Sequence, residues 1–143
     1  MNTQVKDLMK KNPVLISPLS TLQDAAKKMR DIECGVLPVG TADRLEGVIT
    51  DRDIVTRAVS RGKNIAKELV RDYMTPEIFS CHETDTLEKA IDKMRTHKIN
   101  RILVRNATGK LTGILSFGGI LKKNKDNAEV ANVVKHVWST QAA

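Results

Sequence analysis

Apolar and polar positions follow a pattern that runs twice along the chain. Each copy opens with a short apolar segment, Val14-Leu15-Ile16 in the first and Ile78-Phe79-Ser80-Cys81 in the second. Apolar residues then recur at i, i+3, i+4 and i+7: Leu22, Ala25, Ala26 and Met29, and later Leu87, Ala90, Ile91 and Met94. That spacing predicts a helix with one buried face. Thr21 and Thr86 stand just ahead, where a hydroxyl oxygen can accept from the first free backbone N–H groups. Two short strands follow in each copy, Val36–Val39 with Leu45–Ile49, and Arg101–Val104 with Leu111–Leu115. The polar residues 41–44 and 106–109 between them suit hairpin turns. Ile54, Val55, Ala58 and Val59 mark a closing helix in the first copy, and Ile120 and Leu121 begin its counterpart.

Identities support a true repeat. Val5 aligns with Val70, Asp7 with Asp72, Met9 with Met74, Thr21 with Thr86, and Lys28-Met29-Arg30 with Lys93-Met94-Arg95. After one added residue in the second turn, Leu45 aligns with Leu111, Gly47 with Gly113 and Ile54 with Ile120. The expected fold class is therefore α+β, with repeat 1 over residues 1–65, repeat 2 over 66–123 and a helical tail over 124–143. One copy is too small to bury both faces of its sheet. Two copies packed about a pseudo-twofold axis would do so and leave two clefts, a common setting for small-molecule sites. In the tail, Val130, Val133, Val134, Val137 and Trp138 form the stripe of an amphipathic helix, which fits packing on its own domain or on a second subunit.

Composition narrows the choices. A chain of 143 residues suits one compact domain. Its aromatics are only Tyr73, Phe79, Phe117 and Trp138, so the core must be aliphatic. The net charge of +7 favours anionic partners without choosing among them. The lysines are scattered and not interleaved with aromatics, which argues against a nucleic-acid groove. Cys34 and Cys81 form no C-x-x-C and read as reduced core thiols. Residues 1–11 lack the apolar core of a signal peptide and no apolar run spans a bilayer, so a cytoplasmic location is expected. His82, His97 and His136 lack metal-ligand spacing. With no P-loop and no G-x-S-x-G, neither a metal cofactor nor catalysis is expected.

The sharpest local feature is Gly47-Val48-Ile49-Thr50-Asp51-Arg52-Asp53-Ile54, joining a strand to a helix. Thr50 and Asp53 have capping-box spacing. Placed at a cleft, the same hydroxyl and carboxylate could bind a ribose. The second copy reads Gly113-Ile114-Leu115-Ser116-Phe117-Gly118-Gly119-Ile120, with Gly119 in place of Asp53. Arg101, which can bind phosphate bidentately, has Val36 as its counterpart, and Asn100 has Gly35.

Together, V-x-D-x-M, T-L-x-x-A-x-x-x-M, the h-P-V or h-L-V strand and G-h-h-[TS]-x-x-D-h resemble the CBS domain, across nearly all of residues 5–123. The resemblance implies paired β-α-β-β-α repeats forming a regulatory module, often a homodimer, that binds adenosyl ligands such as AMP, ADP, ATP, S-adenosylmethionine or NAD. It assigns the ribose to Thr50 and Asp53 and the adenine pocket to Ile78, Phe79 and Ser80. The phosphate falls to Arg101 with Asn100, and Arg52 adds a contact. The opposite cleft, with Ser116, Gly119, Leu15, Ile16, Gly35 and Val36, lacks both the carboxylate and the arginine, so one strong site per chain is expected. The implied partners are a nucleotide and an effector protein, with no membrane. The alternative is a nucleic-acid-associated stress protein using its basic surface.

Overall fold

The computed structural model describes residues 3–123 and, beyond them, Ala128, Ala131 and Lys135. The valine and tryptophan stripe expected between Val130 and Trp138 lies outside the described residues. In chain order the elements are α1 (Val5–Leu8), β1 (Lys10–Lys11), α2 (Leu22–Ile32), β2 (Val36–Gly40), β3 (Leu45–Thr50), α3 (Asp51–Asp53), β4 (Ser80–His82), α4 (Leu87–Thr96), β5 (Arg101–Arg105), β6 (Leu111–Ser116) and α5 (Phe117–Lys123). The architecture is α+β, and among the described residues no helix is long and apolar enough to cross a membrane.

The two long helices arise as their spacing and caps predict. Thr21 Oγ1 accepts from the Asp24 N–H at 3.1 Å and Thr86 Oγ1 from the Lys89 N–H at 3.2 Å. Leu22, Ala25 and Met29 are buried on α2, with Ala26 only partly so. Leu87, Ala90, Ile91 and Met94 are buried on α4. The closing helix of the first copy is less regular. After α3 it runs through a π-helical turn, Ile54–Ala58, into a 3-10 turn, Val59–Arg61. Ile54 and Ala58 enter the core, whereas Val55 and Val59 face outward at 57% and 53% exposure.

The chain packs as two compact units whose borders are not those of the sequence repeat. One is Pro13–Ile78, and the other joins Met1–Asn12 to the chain from Phe79 onward. In the second, a four-stranded sheet has the order β1-β6-β5-β4, with β4 parallel to β5 and the other pairs antiparallel. In the first, β2 and β3 pair antiparallel with Val36 opposite Thr50. There the equivalents of β4 and β1 are single bridges, Ile16 to Val39 and Thr75 to Val48. The apolar segment at Val14–Ile16 therefore contributes one bridge and no strand.

The shifted borders have a simple cause. The opening segment of each repeat pairs with the other repeat. Val5 N–H donates to Asp85 O and Leu87 N–H to Thr3 O, both at 2.9 Å. The same pattern recurs as Val70 N–H to Ser20 O at 2.8 Å and Leu22 N–H to Glu68 O at 2.9 Å. Thr75 lies so close over β3 that a Cβ at Gly47 would sit 2.6 Å from the Thr75 carbonyl oxygen, and one at Gly113 would collide with Met9 Sδ. These two aligned glycines are thus demanded by packing. Gly47→Ala is expected to lose about 1–3 kcal/mol in urea denaturation, as overpacking does. Gly118→Ala, with no atom within 4 Å of the added Cβ, serves as the control that keeps or gains stability. Equal stability of Gly47→Ala and the parent would contradict the packing argument.

Candidate functional site

Chain direction reverses between β3 and the helix beginning at Asp51, and the turn is fixed by a reciprocal cap. Thr50 Oγ1 accepts from the Asp53 N–H at 3.0 Å, and Asp53 Oδ2 accepts from the Thr50 N–H at 3.1 Å. The capping reading of Thr50 and Asp53 is therefore realised. Asp53 is also the one charged residue buried among the described residues, at 9% exposure. Its Oδ2 lies 3.5 Å from the Thr75 hydroxyl, and its Oδ1 lies 3.6 Å from Arg57 Nη2. A carboxylate has about four acceptor positions. Oδ2 is committed to the cap and Thr75, while Oδ1 meets only the longer arginine contact and keeps capacity for an incoming hydroxyl.

Two of these neighbours were not singled out from the sequence. Arg57 stands four residues after Asp53, a helical spacing that could have flagged it. It also donates from Nη1 to the Tyr73 carbonyl at 3.0 Å. Thr75 comes from the opening segment of the second repeat, and no local spacing connects it to Asp53. In the second copy, Ser116 Oγ accepts from the Gly119 N–H at 3.0 Å. Half the cap survives there, and the carboxylate does not.

The other candidate residues fall into two groups. Arg52 and Ile78 share the unit of Thr50 and Asp53; Phe79, Ser80, Asn100 and Arg101 belong to the other. Arg52 is exposed, Ile78 half-buried. Phe79 is half-buried and stacks on His97, ring centroids 4.0 Å apart at 24°, a partner missed from sequence. Ser80 Oγ accepts from Arg105 Nε at 3.3 Å. Asn100 is exposed and its carbonyl accepts from the Phe117 N–H at 3.2 Å. Arg101 opens β5 directly opposite Ser116 on β6. The structure thus brings Thr50 and Asp53 into contact, and sets Arg101 beside the Ser116 turn of its own unit.

The cysteines differ from each other. Cys81 is buried, and burial, aided by the Asp85 charge, pushes its thiol up to about 11. Cys34 is only half-buried, because it follows the left-handed end of α2 at Glu33, and its thiol donates to the Val36 carbonyl at 3.5 Å. The expectation of two core thiols therefore holds for Cys81 alone. Among the described residues no three His, Cys, Asp or Glu side chains gather as a metal site would require.

Removing the Asp53 side chain tests its structural share. Asp53→Ala is expected to cost about 0.5–2 kcal/mol in urea denaturation, as lost caps do. Asp53→Asn, which retains an acceptor for the Thr50 N–H, should lose clearly less. Equal losses in both variants would contradict the cap as the stabilising element.

A family model described as CBS domain matches residues 5–60 and 70–126. The "Uncharacterized protein YlbB" of Bacillus subtilis is 30% identical over 137 residues, covering 94% of this chain and 91% of the relative. Hypoxic response protein 1 of Mycobacterium tuberculosis is 30% identical over 145 residues, covering 98% and 97%. A crystal structure of Hypoxic Response Protein I with two coordinated zinc ions is similar at a TM-score of 0.75 and 27% identity, covering 85% of this chain and 99% of that one. A crystal structure of CBSX2 in complex with AMP matches at a TM-score of 0.68 and 26% identity, covering 93% and 98%.

Proposed function

Because the chain belongs to the CBS domain family, with two repeats, we propose that it is a non-catalytic regulatory module that binds an adenine nucleotide such as AMP, ADP or ATP. The observation that carries this reading is Asp53. It is a buried carboxylate at a strand-to-helix turn, with one oxygen held by the cap and the other meeting Arg57 at 3.6 Å. The AMP complex of CBSX2 supports the ligand class.

In this reading Asp53 Oδ1 and the Thr50 hydroxyl meet the ribose, Ile78, Phe79 and Ser80 line the adenine, and Arg101 with Asn100 takes the phosphate, assisted by Arg52. The ring stack of Phe79 on His97 gives the base a rigid apolar wall. Oδ1 already attracts Arg57, so a ribose hydroxyl competes with that arginine. Arg57 also holds the Tyr73 carbonyl in the opening segment of the second repeat. Ligand binding at Asp53 therefore bears on the segment that closes the sheet edge at Thr75. A ligand favouring one arrangement of that segment shifts the population toward it, which an effector protein or a homodimer can read. The nucleic-acid alternative has one local feature, a hollow of about 520 Å³ ringed by Lys6, Lys10, Lys11 and Lys123. Among the described residues no aromatic side chain lines it to stack on a base, and Asp7 stands among the lysines.

A thermal-shift panel of AMP, ADP, ATP, NAD and S-adenosylmethionine tests the proposal, since a ligand at a hundred times its Kd adds about 2.7 kcal/mol to the folded state. At least one member should raise the Tm. Asp53→Asn should weaken that ligand about tenfold or more, as loss of a hydrogen bond to a charged group does. Arg101→Gln should weaken AMP while leaving adenosine unchanged. A flat panel, or undiminished binding by Asp53→Asn, would overturn it.

A further inference from the structure

A second polar hollow lies wholly within the unit of the second repeat. It has a volume of about 300 Å³, at the small end of ligand sites, and its wall includes Ser80, His82, Asp85, Lys89, Lys93 and Arg105. We infer that this hollow between β4, α4 and the end of β5 binds a phosphate dianion, either free or carried by a larger molecule.

Charge balance is the first argument. Lys89 and Lys93 stand one turn apart on α4, and Arg105 ends β5. Like charges at that helical spacing repel. Among the described residues only Lys89 of the three has a carboxylate partner, Asp85 at 3.3 Å. Lys93 donates to the Ser80 carbonyl, and Arg105 donates to Ser80 Oγ and, at 3.1 Å, to the Gly109 carbonyl. Those neutral acceptors orient the cations without neutralising them, so two positive charges remain for an anion. Asp85 stays ionised, and its charge is set against that of Lys89. Burial alone would raise its carboxyl, but the His82 N–H at 2.9 Å and the Lys89 ammonium hold it below its ordinary value.

The first repeat supplies an internal control. Lys28 donates to the Leu15 carbonyl at 3.1 Å, as Lys93 does to that of Ser80, so this lysine belongs to the fold. Ser80, Lys89 and Arg105, however, align with Leu15, Asp24 and Gly40. The first repeat forms its helix and hairpin without any of the three, with a single bridge at Ile16 where Ser80–His82 make a strand. What they add is a hydroxyl whose oxygen accepts from arginine and whose proton is left to donate, a mobile ammonium, and a guanidinium fork suited to phosphate oxygens.

The test is a titration of the full-length protein with inorganic phosphate, followed by amide NMR shifts and matched against potassium chloride at equal ionic strength. Shifts that saturate and centre on Ser80, His82, Lys89 and Arg105 are expected, with affinity at least tenfold weaker in Arg105→Gln. Lys89→Gln, changed at a side chain 72% exposed, gives the same loss without risk to the fold. A parallel AMP titration separates the sources, read at Lys89 and Arg105, which the nucleotide proposal does not use: movement of those two amides in competition with phosphate identifies a nucleotide's phosphate, and their stillness identifies free phosphate. Shifts that follow chloride equally, or that persist undiminished in both variants, overturn the inference. Asp53→Asn should leave this phosphate titration untouched, so its result is independent of the nucleotide proposal.

Discussion

A two-stranded hairpin leaves a row of unpaired backbone groups along each edge, and an unpaired, buried N–H or C=O is costly. In both units of this chain one such edge is met by the opening segment of the other repeat. Lys10 and Lys11 pair with Ile114 and Gly113, and Thr75 pairs with Val48. This exchange fixes Gly47 and Gly113 as glycines and anchors the starts of α2 and α4 through Glu68 and Thr3. It also delivers Thr75 to Asp53. Neither repeat is a self-sufficient folding unit in sequence, since each borrows its edge from residues outside its own run.

Duplication of the fold has been kept while duplication of the chemistry has not. The cores use the same kinds of side chain at the same places, Leu22, Ala25 and Met29 matching Leu87, Ala90 and Met94. Polar positions diverge in pairs. The first copy has Asp53 where the second has Gly119; the second has Arg101 and Arg105 where the first has Val36 and Gly40. Buried apolar positions are constrained by packing density, which tolerates little change in volume. Polar residues at turns and strand ends are free to specialise, as Asp53 does by completing a cap that Gly119 leaves half made.

Much of this was legible in the sequence. Helix faces and caps follow from local spacing, and Thr21, Thr86 and the Thr50–Asp53 cap sit where that spacing puts them. What escaped was non-local or irregular. The exchange of edge segments has no signature in a periodicity of 2 or 3.6. Thr75 and His97 reach Asp53 and Phe79 only through the fold. The π-helical turn at Ile54–Ala58 rotates Val55 and Val59 outward, which an ideal helical wheel does not anticipate. Cys34 looked apolar by its neighbours, yet it sits just past a helix end where the backbone turns toward solvent.

The proposed asymmetry between the copies is tested most directly by isothermal titration calorimetry of the full-length chain with AMP, read for stoichiometry. The divergence of Asp53 and Arg101 from Gly119 and Val36 predicts one strong AMP per chain, with any second event weaker by about a hundredfold or more, the combined loss of charged and neutral hydrogen bonds. Two equivalent sites per chain would contradict it.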